Sequence, residues 1–514
     1  MTHILNKIIL LLKTAMQKQI LKSGLQIFIT ICLLIFTPSL FAQPEDIDDS
    51  DITQAIETDL WVDQNINMNT LDVQTKQGIV TLSGTAENIL MKERAAQIAS
   101  NIVGVRAILN LINVEPNIYR TDAELKEAVN KAILRDPATE TFDVTIEAKN
   151  GQITLKGTVD SWQEKELTEI VTKGVKGVRK VNNQISVDLK IERADYELEQ
   201  EIKAKLANDV RVDDFQINVT VEEGVVTLSG VVGSIDEKNV AIHDSRVTGV
   251  KIIKSDDLNI EWWAGDEMRR KKLFEKQSDE EIKKALEAAF LYDPRVMSFD
   301  PKIEVNDGTV TLKGTVDNLK AKQSAEEDAK NVVGVRRVKN HLKVQPLSTP
   351  TEKDLKQEIE GALLADPYVD RYDVNVSVSY GVVYLSGKVN TNFEKYRAEW
   401  VIEGIRGVVA VFNNLEYAYE WKWKRDSEIK ADIEEQFRWS LYVDGDDINI
   451  NVENGVVTLT GEVSTWGEYN VAEKNAYEGG AKDVKNNLSI LNPFYYGPFG
   501  KYPFWAPPLY NHYY

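Results

Sequence analysis

Thiols are all but missing from this sequence. Its 514 residues include one cysteine, Cys32, which lies inside an apolar leader. Ile31 precedes it where a lipoprotein signal needs a small residue, so lipid attachment at that thiol is excluded. Without the leader the chain has no cysteine, which excludes disulfides, thiol catalysis and thiolate-bound metals. Histidine is nearly as scarce: beyond the leader there are only His243, His341 and His512, at unrelated places in the chain. No HExxH segment or nucleophile elbow occurs, so the common zinc and triad arrangements have no support. Basic charge is in deficit. The net charge is −20, and −24 once the four leader lysines are set aside. Such a surface repels phosphate backbones, which argues against nucleic acid as a partner, and it repels anionic lipid except at local basic patches.

The long apolar run of the chain is confined to its N-terminus. Residues 1–42 hold Lys7, Lys13, Lys18 and Lys22 and no acid, then the run Ile27 to Phe36, then Pro38-Ser39-Leu40-Phe41-Ala42. This order reads as a signal peptide ending at Ala42. The run is short for a membrane span, although an uncleaved anchor is the alternative reading, and Met16 is an alternative start. The expected location is the periplasm, with secretion as the second choice.

What the chain does have is one cassette written six times. A first glycine (Gly78, Gly151, Gly224, Gly308, Gly381, Gly455) is followed six residues later by a second (Gly84, Gly157, Gly230, Gly314, Gly387, Gly461). A third follows nineteen or twenty residues after that (Gly104, Gly177, Gly249, Gly334, Gly407, Gly480). The period is 73 or 74 residues except for one step of 84, whose extra residues fall in the linker that begins at Trp262. A fixed period of this kind marks a repeat architecture, so function rests on one small module used six times or on what lies between the copies.

The second copy shows the pattern. Thr121 and Glu124 form a capping-box signature, and Leu125, Val129 and Ile133 recur on one face of a helix that Asp136-Pro137 ends. The alternating segment Val144-Thr145-Ile146 leads to Asn150-Gly151, a hairpin signal, and the returning strand alternates through Ile153 and Leu155. Where Gln77, Glu223 and Tyr380 replace Asn or Asp before the first glycine, the turn type is left open. Asp160-Ser161 caps a second helix. The second glycine is read as a strand exit and the third as that helix's C-cap. A third strand closes the copy. Each copy is thus predicted to be a small α-β-β-α-β two-layer sandwich of the α+β class. The predicted division is a signal peptide at 1–42, modules at 51–114, 121–187, 193–260, 277–344, 351–417 and 426–490, and an aromatic tail at 491–514. The modules are expected in series, like beads on a string, with mutual contact as a further source of stability.

The segments Asn454-Gly455-Val456-Val457-Thr458-Leu459-Thr460-Gly461 and Val332-Val333-Gly334-Val335-Arg336-Arg337-Val338-Lys339-Asn340 resemble the BON (bacterial OsmY and nodulation) domain family, and the resemblance extends over roughly residues 51–490. It implies a non-catalytic module of periplasmic and envelope proteins that binds phospholipid or other envelope components. Six copies, the aromatic linkers and the aromatic tail depart from the typical one- or two-copy member.

The places where copies differ supply the candidate contact residues. The first position of the second helix holds Ile89, Trp162, Ile235, Leu319, Asn392 and Trp466. Beside free helix amides, Trp162 and Trp466 are placed to grip a lipid headgroup; the alternative is a hydrophobic staple. The linkers add Trp262 and Trp263 ahead of Arg269-Arg270-Lys271-Lys272, and Tyr417, Tyr419, Trp421 and Trp423 interleaved with Lys422, Lys424 and Arg425. Aromatic and basic residues together suit a membrane interface, whereas period-two spacing suits a continuation of the third strand. The asparagines Asn110, Asn183, Asn340, Asn413 and Asn486 are read as bends that use the tolerance of Asn for unusual backbone angles. No catalytic residue, metal, cofactor or small-molecule substrate is expected. The expected function is a non-enzymatic exported protein binding a phospholipid surface or envelope proteins, in osmotic or envelope stress; a periplasmic scaffold or chaperone-like binder is the alternative.

Overall fold

In the computed structural model of the protein, the described residues are 47–490, without 64, 118, 140–141, 189–192, 265–276, 298, 348–349, 370–372 and 418–420. The leader with Cys32, the tail 491–514 with His512, Arg269 to Lys272 and Tyr419 lie outside them.

All six modules have the predicted order. In module 2 the first helix is Asp122–Arg135, and Thr121 and Glu124 make the reciprocal capping box. Leu125, Val129 and Ile133 are buried on the face the sequence periodicity selected. The hairpin strands are Asp143–Lys149 and Gln152–Val159, the second helix is Trp162–Lys173, and the last strand is Lys180–Val187. The returning strand is central, antiparallel to the first strand and parallel to the third. The parallel pairing follows from the second helix, which carries the chain back across the sheet as a crossover. Both helices cover one face, and Ile153 and Leu155 of the central strand are fully buried beneath them.

The hairpin turn is the same in every module. Gln77, Asn150, Glu223, Asp307, Tyr380 and Asn454 all have φ between 48° and 56°. Gln77, Glu223 and Tyr380 therefore adopt the left-handed conformation that the sequence left open. A carboxylate 28 residues earlier, at the start of the first helix, supplies the compensation. Asp49 accepts the amides of Gln77 at 2.7 Å and Gly78 at 2.9 Å. Asp122, Asp195, Asp279, Glu352 and Asp426 accept the corresponding turn amides in the other modules.

Two of the three glycine roles need correction. The second glycine does not end its strand. Gly157 lies inside Gln152–Val159 with φ of 146°, and a Cβ there would stand 2.2 Å from the Asp143 carbonyl oxygen of the neighbouring strand. The third glycine is not the helix cap. The second helices end at Asn101, Gly174, Ser245, Asn331, Gly404 and Gly479, and the third glycine lies beyond, in a left-handed turn leading to the last strand. The recurring asparagines are not backbone outliers either. Asn183 donates its amide to the Lys165 carbonyl of the second helix and accepts from the Ile185 amide, and Asn110, Asn340, Asn413 and Asn486 do the same in their modules.

The modules are not beads in series. Second helices pack against one another in modules 1, 2 and 3. Lys173 pairs with Glu93 at 2.7 Å, Gln163 reaches the Arg246 carbonyl at 3.1 Å, and Ser100 meets Asp236 at 3.5 Å. These contacts close a ring 1–2–3. In the second half Lys320 donates to the Trp400 carbonyl, Gln323 bonds Glu403, and Lys330 sits 5.7 Å from the Trp466 ring. First helices join the two sets. Asp59 binds Gln436, Arg135 pairs with Glu358, and Tyr292 donates to Glu201, linking modules 1 with 6, 2 with 5 and 4 with 3. A module of fewer than 70 residues buries too little surface to be more than marginal alone, so helix faces left open by one module are covered by others.

Candidate functional site

The starts of the second helices are occupied. One orphan amide at each start is taken by the cap: Asn88 accepts from Met91, Ser161 from Glu164, Ser234 from Glu237, Asn318 from Ala321, Thr391 from Glu394 and Thr465 from Glu468. The side chains beside them join modules. The half-buried Trp162 donates its indole N–H to the Val250 carbonyl of module 3 at 2.9 Å, with Lys165 and Arg246 over its ring. Trp466 is half-buried between Tyr469 and Lys330 of module 4. Ile89 is buried in a core shared with module 5, and Leu319 packs against that same core. At these four positions the side chain thus packs against another module, a role outside both readings of the sequence. Periodicity within one copy carries no information about a surface contributed by another.

The linker tryptophans divide. Trp262 is half-buried and Trp263 is 41% exposed. Residues 418–420 lie outside the described residues, and Trp421 to Arg425 are not in a strand. Trp421 packs on the module 6 core and donates to the Gly480 carbonyl at 3.1 Å, while Trp423 is 73% exposed. Sequence reasoning passed over one further patch. Tyr384 and Phe412, directly paired on adjacent strands of module 5, stack at 5.2 Å on the solvent face, 42% and 53% exposed. The signal was present, because every other copy has Thr where Tyr384 stands.

A cavity of about 900 Å³ lies where modules 1 to 4 meet, lined among others by Trp162, Ile170, Ile235, His243, Tyr292 and Asn331. Its charged rim is organised by ion pairs across and within modules, including Arg246 with Glu166 and Arg211 with Asp209 at 2.5 Å. Burial raises the carboxyls of Asp244, Asp293 and Asp328, and the Asp293 charge adds to the rise at Asp328. Among the described residues no group of three or more His, Cys, Asp or Glu side chains is placed to hold a metal ion. Among them, too, no helix is long and apolar enough to cross a membrane.

The model of the BON domain matches the chain six times, at residues 48–116, 121–188, 194–260, 278–346, 351–419 and 425–492. The chain belongs to the BON domain family. Curated relatives match over a stretch about two BON domains long. Osmotically-inducible protein Y of Escherichia coli is 31% identical over 144 residues, 27% of this chain and 72% of that protein. Outer membrane lipoprotein DolP of Haemophilus influenzae is 29% identical over 158 residues, 29% of this chain and 82% of that protein. An uncharacterized protein of Anaplasma centrale is 30% identical over 140 residues, 26% of this chain and 91% of that protein. The chain thus carries six BON domains, where the matched stretch of each relative is about two long.

Proposed function

We propose that this protein is a non-catalytic, periplasmic BON protein that associates with a phospholipid surface of the cell envelope, in a role connected with osmotic or envelope stress. The observation that carries this reading is the split between buried and exposed aromatics. With Trp162 and Trp466 engaged between modules, the exposed aromatics available to meet an outside surface include Trp263 and Trp423 in the linkers and the Tyr384–Phe412 pair on an outer sheet face. Aromatic side chains with one polar end suit the headgroup region. The relatives support an envelope setting by name, one as osmotically inducible and one as an outer membrane lipoprotein.

Flotation of residues 43–514 with vesicles tests the proposal. Co-flotation is expected, stronger with zwitterionic than with anionic vesicles at low salt, because the chain's acidic surface repels anionic lipid and salt screens the repulsion. Trp263→Ala with Trp423→Ala, or Tyr384→Thr with Phe412→Ala, should each lower the floated fraction. Absence from both kinds of vesicle would defeat the reading and leave an envelope protein as the partner.

A further inference from the structure

The step of 84 residues divides the chain into modules 1–3 and modules 4–6, and the second helix relates the first module of each half. Modules 1 and 4 cap that helix with Asn88 and Asn318 and close it with Asn101 and Asn331. Modules 2 and 5 use a capping box in which Glu164 and Glu394 each take two amides, those of Asp160 and Ser161 and those of Asn390 and Thr391. In modules 3 and 6 the buried Glu237 and Glu468 take the amides of Asp213 and Gly233 and of Asp444 and Ser464. Modules 1 and 4, each with Asn at both ends of the helix, are thus equivalent places in the two halves.

The contacts between the halves obey the same correspondence. Between modules 1 and 6, Ile102 bridges Ser440, Val103 donates to the Trp439 carbonyl at 3.0 Å and Leu441 donates to the Asn101 carbonyl at 3.2 Å. Between modules 4 and 3, Val332 bridges Asp209, Val333 donates to the Asn208 carbonyl at 2.8 Å and Val210 donates to the Asn331 carbonyl at 2.9 Å. Each residue of the first set is the equivalent of one in the second. Exchanging module 1 with 4, 2 with 5 and 3 with 6 turns one set into the other. It also maps the contact of module 2 with module 5, through Arg135 and Glu358, and that of module 3 with module 6, through Asp236 and Tyr442 at 2.6 Å, onto the same module pairs. That is the rule of an isologous two-fold interface, in which each partner contributes the same surface.

We infer that the protein is a tied dimer. Each three-module half carries a self-complementary docking face, built from its first helices and the turns that follow its second helices, and the partner that fits this face is another three-module half. The peptide link between the halves raises their effective concentration without forming the interface, so the face accepts a half supplied by a second copy of the chain.

The test uses the folded mature chain with a protease site placed within residues 265–276 and cut under native conditions. The two fragments should stay together at the undivided mass in gel filtration with light scattering, with the helical signal unchanged. Mixing cut protein bearing a tag on its first half with untagged cut protein should yield tagged halves joined to untagged second halves. Arg135→Glu should weaken the union about fivefold, with Glu358→Arg on the other half restoring it. Fragments that separate on cutting, whether folded or not, or an Arg135→Glu union as strong as the wild type, would overturn the inference.

Discussion

Glu468 shows how a single side chain ties a loop, a helix and pH together. It is 1% exposed and accepts the amides of Asp444 at 3.0 Å and Ser464 at 2.8 Å. Burial pushes its carboxyl up to about 8, against the two amide hydrogen bonds, and the Asp444 charge adds to the rise. A carboxyl raised by folding favours the folded state when protonated. Its contribution is complete below the ordinary carboxyl range and is lost as the pH climbs through about 8. Module 6 should therefore lose stability from about pH 5 to about pH 9, by a few kcal/mol in order of magnitude. Glu468→Gln should flatten that decline, measured as the denaturant midpoint against pH. The burial was not legible in the sequence. Glu468 and Glu164 hold the same place after their caps, yet Glu468 is buried and Glu164 half-buried.

At the scale of the element, the repeated unit is a hairpin held by a helix. The carboxylate that opens the first helix sits in the favourable field of the helix N-terminus and takes the amides of a strained turn 28 residues away. For Asp49 these bonds, with Gly78 first and Gln77 second, hold the carboxyl below its usual value. A lowered carboxyl stabilises when ionised, so this clamp is intact above the ordinary carboxyl range and is lost as the pH falls through the lowered value. Asp122→Ala should cost module 2 about 1 kcal/mol and speed hydrogen exchange at the Asn150 amide, while Asp122→Asn, which keeps an acceptor, should cost less. The caps themselves were legible because Thr121 with Glu124 and Ser278 with Glu281 are local signals. The clamp was not, because it joins residues that only the folded module brings together, and the left-handed Gln77, Glu223 and Tyr380 follow from it.

For the whole molecule, the decisive fact is that modules distant in sequence touch. Residues 47–490 should scatter as a compact body with a radius of gyration of about 22 Å, where six modules in series would give a much larger value. Small-angle scattering that shows an extended chain would remove the contacts on which the buried state of Trp162 and Trp466 depends.

The cassette by itself determined the module: its element order, its hairpin, its core face and its family. Each of those is set by residues close in sequence and by a period the eye can count. Only the tertiary structure decided that Ile89, Trp162, Leu319 and Trp466 pack against other modules, that Trp263, Trp423, Tyr384 and Phe412 stay exposed, and that modules distant in sequence touch. The reason is physical. A short α+β sandwich leaves helical surface unburied, and its residues look the same in sequence whether water, lipid or another module will cover them.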